Sequence, residues 1–190
     1  SGDRVRLPFP SRELPSGEVA QVRGEADALA LKMRHHDARL HSRRMPSGDV
    51  APVLFEMLEQ ARLAEKWGYH SITKGAHYST HPLQDLQQVP FLCRVAAEAP
   101  SLRLNTGVLL LPMHKPLDVA EQLGTLDIMT NGKLIFGCGV GYREVEFLAF
   151  GTTPRDRAKR FEENLDAIKR LWTEEIVTMR GSHFELKEAS

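Results

Sequence analysis

From residue 52 onward, segments with helical periodicity alternate with short apolar segments, and that alternation restricts the chain to folds built from β-α-β units. Pro52 to Trp67 sets Leu54, Leu58, Ala61, Leu63 and Ala64 near the 3.6-residue period of a helix, which Gly68 ends. Tyr69 to Thr73 reads as a short strand, followed by a polar loop that holds His77, Tyr78 and His81. A second helix runs from about Leu86 to Ala99 and stops at Pro100, and Leu102 to Leu110 reads as one buried strand. Leu117 to Met129 forms a third helix ending in the Thr130-Asn131-Gly132 turn. Lys133 to Cys138 is then a strand that runs into Gly137-Cys138-Gly139-Val140-Gly141. Arg155 to Trp172 puts Ala158, Phe161, Leu165, Ile168 and Leu171 on one helical face, and Ile176 to Leu186 reads as a hairpin around Gly181. The expected class is α/β with a parallel sheet and right-handed crossovers. A doubly wound sheet and a (β/α)8 barrel both satisfy this pattern, and both place ligand sites at the carboxyl ends of the strands.

The first fifty residues differ in texture, being rich in Arg, Pro, Ser and Gly, so the chain divides into an atypical segment 1–50 and a regular domain 51–190. Only Ala26 to Leu40 has a helical look, and Pro8 and Pro10 demote Val5 to Phe9 to an edge strand or an irregular arm. His35, His36 and His41 in this segment read as surface histidines. Twenty-five basic residues balance twenty-five acidic ones, which leaves no global field to gather nucleic acid or an anionic membrane. The apolar run Val108 to Leu111 is cut by Pro112, far short of the ~20 residues that span a bilayer, and the amino terminus lacks a signal-peptide pattern. Cys93 and Cys138 have neither disulfide nor metal-ligand spacing, so no metal site and a cytoplasmic setting are expected.

Two features carry chemistry. Glycines after a strand let backbone amides approach a phosphate, but the run here is G-x-G-x-G rather than G-x-G-x-x-G, and no acidic residue closes a later strand at the ribose distance. A phosphate cradle and a plain tight turn therefore weigh about evenly, and a nicotinamide-binding sheet stays open as a third reading. His77 falls at the end of a strand, where a neutral imidazole can exchange a proton with a bound substrate; the plainer alternative is an exposed loop histidine. His81, four residues on, has ligand spacing, weakened by Pro82. Arg143, Glu144 and Glu146 begin a helix after the glycine run, either as a solvated face or with one of them closing over the site.

In combination, Asn105-Thr106-Gly107-Val108-Leu109-Leu110-Leu111-Pro112, Lys115-Pro116, Ala120-Glu121, Leu126-Asp127, Asn131-Gly132-Lys133, Phe136-Gly137 through Glu146-Phe147, and Arg160-Phe161-Glu162-Glu163 resemble the bacterial luciferase-like family in order and spacing. The resemblance covers about Val53 to Leu186 and corresponds to the amino-terminal part of such a protein, with about half of the βα units of a (β/α)8 barrel. It implies a flavin-dependent oxidoreductase, a monooxygenase that uses reduced FMN and oxygen on a small organic substrate, with an F420-dependent hydride-transfer enzyme as the alternative. It also implies His77 as the catalytic histidine, and Gly107, Val108, Gly139, Val140, Gly141 and Tyr142 as cofactor-binding positions. Gly107-Val108 falls where members carry a non-prolyl cis peptide under the flavin ring. Where members commonly have an acidic residue before the histidine this chain has Ala76, and where luciferase itself has an arginine on the flavin phosphate it has Val140, so light emission is not implied. A flavin reductase is a partner the family implies. A half-barrel with two open edges calls for a homo-oligomer or a completing chain, or else makes a catalytically silent assembly module.

Overall fold

The computed structural model describes residues 38–40, 51–80 and 85–190. The readings at Val5 to Phe9, His35, His36, His41 and His81 lie outside the described residues.

Strand β1 (Ala38–Leu40) precedes helix α1 (Ala51–Lys66), strand β2 (Ser71–Lys74), helix α2 (Gln88–Glu98) and strand β3 (Arg103–Thr106). After β3 come strand β4 (Leu109–Leu110), a 3-10 turn at Leu111–Met113, helix α3 (Pro116–Met129), and strands β5 (Leu134–Ile135) and β6 (Cys138–Gly139). Helix α4 (Glu144–Ala149), helix α5 (Arg157–Thr173) and the antiparallel hairpin of β7 (Val177–Arg180) and β8 (Glu185–Ala189) complete the order. Helix ends follow local chemistry. Gly68, at φ +75°, closes α1 with a Schellman pair of bonds, Gly68 N–H to Glu65 O and Tyr69 N–H to Ala64 O. Asn131, at φ +56°, does the same for α3 through Asn131 N–H to Ile128 O and Gly132 N–H to Asp127 O, at the turn read from the sequence.

The main sheet is parallel, in the order β1-β2-β3-β5. Sequential order with right-handed crossovers sends every helix to the same face, whereas a doubly wound sheet reverses its order and covers both faces. Accordingly α1 packs on α2, α2 on α3 and α3 on α5. Leu58, Ala61, Ile72, Leu92 and Leu104 fill the first half of the layer between helices and sheet, and Leu111, Val119, Leu123, Ile168 and Trp172 the second. The architecture is therefore a partial (β/α)8 barrel.

Three sequence readings are corrected. Ala38–Leu40 was drawn into a helical stretch and no first strand was recognised, yet it pairs in parallel with β2, Ala38 opposite Ile72 and Leu40 opposite Lys74. Three residues are too few to show a period of two, so a strand this short is set by its neighbour rather than by its own pattern. The segment Leu102 to Leu110 is not one strand, nor is Lys133 to Cys138. Pairing Asn105 with Ile135 resumes at Leu109 with Cys138, four residues later on one side and three on the other, so the first strand carries one extra residue as a bulge. The cis Gly107-Val108 peptide lies within that bulge.

Candidate functional site

Parallel strands deliver their carboxyl ends to one rim, and there the loops after β2, β3 and β6 meet. Lys74, the last residue of β2, is 1% exposed, and its Nζ donates to Asp85 Oδ1 at 2.5 Å and to the Gly75 carbonyl at 2.9 Å. Gln88, at the start of α2, donates from its side chain to the Lys74 carbonyl, and Gly107 N–H reaches the same oxygen at 3.0 Å. A buried ammonium survives only with such partners. Asp85 also accepts the backbone N–H of His77 at 3.0 Å, so the buried pair fixes where the following loop starts.

His77 itself is half-exposed, and its Nδ1 stands 3.2 Å from Glu146 Oε1. Glu146, in the first turn of α4, is 1% exposed. The same oxygen accepts Tyr78 N–H at 3.0 Å and an Arg143 Nη1–H at 2.9 Å, while Arg143 Nη1 also donates to the Tyr78 carbonyl at 3.1 Å. Of the three charged residues read after the glycine run, Glu146 and Arg143 thus fold in against the His77 loop, whereas Glu144 stays exposed. Sequence reasoning left this open because His77 and Glu146 are 69 residues apart.

Tyr78 continues the cluster inward. Its ring meets Phe150 edge-on at 4.7 Å between centroids, and its hydroxyl lies 3.1 Å from His114 Nε2. Burial, then the negative charges of Glu146 and Asp85, push the Tyr78 phenol up to about 12. Burial lowers the pKa of His114, with Asp118 opposing. Both are neutral near pH 7, and one donates while the other accepts. The turn that presents His114 is anchored from α5: Asn164 Nδ2 donates to the carbonyls of Leu111 and His114, and Arg160 Nε to that of Pro112. Lys74, Asp85 and Asn164 were not singled out from sequence, and Arg160 was read only within the Arg160-Phe161-Glu162-Glu163 motif, with nothing local to mark it as an anchor of the Pro112 turn.

The glycine run divides by task. A Cβ on Gly137 would strike the Thr106 carbonyl oxygen, and one on Gly107 would strike Thr73 Cγ2, so both glycines exist for close approach of neighbouring chain. A Cβ on Gly139 would come within 2.8 Å of Val108 Cγ2, which brings Gly107, Val108 and Gly139 into one contact group. Gly141, at φ +75°, turns the chain past Phe147 and Met113. Val108, Val140 and Tyr142 remain solvent-exposed beside these glycines in the chain. Gly75 lies 3.7 Å, by its notional Cβ, from the Gly107 carbonyl oxygen, and links Gly107 to the loop of His77. Helix α4 follows with Glu144 and Glu146 in its first turn, an acidic start that opposes a phosphate at that point. Among the described residues no group of three or more His, Cys, Asp or Glu side chains is placed to hold a metal, and no helix is long and apolar enough to cross a membrane.

The profile of the luciferase-like monooxygenase family matches residues 31–190. The chain belongs to that family. Among luciferase-like relatives, 4-hydroxyprotoasukamycin monooxygenase of Streptomyces nodosus subsp. asukaensis is 34% identical over 137 residues, which cover 72% of this chain and 37% of the relative. The oxygenase component of a flavin-dependent trigonelline monooxygenase of Acinetobacter baylyi is 28% identical over 138 residues, covering 70% of this chain and 38% of the relative. The crystal structure of monooxygenase RslO1 from Streptomyces bottropensis superposes with a TM-score of 0.75 at 30% identity, over 80% of this chain and 47% of that one. The chain thus spans less than half the length of these luciferase-like proteins.

Proposed function

We propose that this chain is the flavin-binding part of a monooxygenase that oxidises a small organic substrate with reduced FMN and oxygen. One observation carries the reading: the contact group of Gly107, exposed Val108 and Gly139 meets, through Gly75, the loop of the half-exposed, hydrogen-bonded His77. A planar heteroaromatic cofactor needs a bare apolar surface, and Val108, whose side chain fills the space a Cβ on Gly139 would take, presents one to solvent, so the residues present fit the group. Gly107, Val108, Gly139, Val140, Gly141 and Tyr142 would hold it. Bound reduced flavin supplies, with oxygen, the oxidising power that the side chains lack. His77 then moves a proton at Nε2, Tyr78 and Phe150 exclude water beside it, and the Lys74–Asp85 pair keeps the loop in place. The wording "flavin-dependent" and "oxygenase component" in the name of the Acinetobacter relative supports both the cofactor and a separate flavin reductase as partner. Assembly with a second copy or a completing chain would cover the edges that the sheet presents among the described residues, and the unpaired Cys93 and Cys138 suit a reducing cytoplasm.

The test is titration of the full-length protein with reduced FMN, F420 and NADH in turn, followed by single turnover with oxygen. Tight FMN binding, with a His77→Gln variant that binds FMN equally well and turns over about 10²- to 10⁴-fold more slowly, supports the proposal. Preference for F420 replaces the monooxygenase with a hydride-transfer enzyme, and binding without turnover makes the chain an assembly module. NADH binding alone overturns the flavin assignment.

A further inference from the structure

We infer that Glu146 is a positioning residue that holds neutral His77 as its Nδ1–H tautomer, leaving Nε2 free of a proton. The inference rests on the proton-transfer role proposed for His77. Glu146 Oε1 faces three groups: the Tyr78 backbone N–H at 3.0 Å, Arg143 Nη1 at 2.9 Å and His77 Nδ1 at 3.2 Å. The first two only donate, so an oxygen that faces them is an acceptor, and the imidazole nitrogen sharing it must carry hydrogen. A neutral imidazole has one such hydrogen, so the other nitrogen presents its lone pair. Arg143 supplies a countercharge for the carboxylate.

The surroundings remove the alternatives to this arrangement. Glu146 is 1% exposed and held by the chain on both sides, whereas the His77 side chain is 44% exposed, so the acid is the fixed partner and the ring the one oriented. Consecutive backbone amides of the loop are gripped by different acids, His77 N–H by Asp85 and Tyr78 N–H by Glu146. With the backbone pinned, a single bond at Nδ1 is enough to set the ring. A histidine without such a partner favours hydrogen on Nε2, the form that leaves no acceptor there. A second-sphere acceptor that fixes tautomer and ring orientation is the device that also orders metal-bound histidines, applied here to a histidine without a metal.

The experiment labels the histidine imidazoles of the full chain with 15N and records two-bond 1H–15N correlations in the neutral state, without flavin. His77 is assigned among the eight histidines as the pattern lost in His77→Gln. Wild type is expected to show the Nδ1–H pattern. Glu146→Met, which removes the acceptor, is expected to shift it to the Nε2–H pattern, and Glu146→Gln, which keeps an acceptor oxygen, is expected to restore Nδ1–H. An Nε2–H pattern in wild type, a pattern unchanged in Glu146→Met, or a shifted one in Glu146→Gln overturns the inference. Should Glu146→Met fail to fold, the other two spectra decide. Because flavin is absent throughout, failed flavin binding beside the Nδ1–H pattern overturns the proposed function and leaves the positioning role intact.

Discussion

Two buried acid–base pairs sit at the carboxyl end of β2, and they differ in one respect. Lys74 and Asp85 are both sealed, at 1% and 3% side-chain exposure, whereas Glu146 is sealed but its partners His77 and Arg143 reach solvent. A pair closed on both sides has no route to a ligand and fixes geometry. A pair closed on one side presents the open partner with its hydrogen bonding already set. The two are joined through Asp85, which grips both the ammonium and the His77 backbone. The contrast separates a pair that fixes the loop from one that orients the histidine proposed to transfer a proton.

The largest expected effect breaks the sealed pair. Asp85→Ala strands a buried ammonium and is expected to cost about 3–5 kcal/mol, read by urea denaturation. Lys74→Met combined with Asp85→Leu is expected to recover most of that loss, since apolar replacement of both partners is often neutral, while the freed His77 amide loosens the loop. If the double variant is as unstable as the single one, the ion pair itself contributes and the distinction between the pairs weakens.

Next in size is the glycine seam between them. Gly137→Ala drives a methyl into the Thr106 carbonyl, which is backbone, and should cost about 1–3 kcal/mol by the same assay. Gly139→Ala meets the Val108 side chain, which can rotate, and should cost less while weakening FMN binding. Equal losses at the two positions would contradict the division of the run into a glycine packed on backbone and one packed on a movable side chain.

Smaller again is an alkaline effect on the open side. Tyr78 titrates near 12 when folded and near its ordinary value of 10 when unfolded. Between those values the unfolded chain holds fewer protons, so stability falls as pH rises from about 10 to about 12. Tyr78→Phe should lack that part of the fall, and near-ultraviolet titration should show one of the three tyrosines ionising last. The smallest effect belongs to a pair open on both sides: Arg62→Ala, which removes the exposed contacts with Glu59 and Glu98, is expected to leave the unfolding midpoint unchanged.

Legibility in the sequence followed the range of the interaction. Helices α1, α3 and α5 and the Asn131-Gly132 turn were readable because period and capping are local. The break of the third strand at Gly107 was not, since the apolar run Val108 to Leu111 follows it directly and only pairing with β5 and β6 reveals the added residue. His77 was readable by its place at a strand end. Its partner was not, because an acid in a helix's first turn looks the same whether it faces water or a histidine. Strand order, which excluded the doubly wound sheet, is a property of tertiary pairing and has no local signature.

One threonine has a wider consequence. Thr106 Oγ1 donates to the Gly137 carbonyl at 2.9 Å and accepts Gly137 N–H at 3.0 Å, just where β3 and β5 part. A hydroxyl thereby takes the place of a peptide group and heals the sheet below the rim. The loops above are relieved of holding the strands together, and insertions there can reshape which molecule is admitted while the floor beneath stays the same.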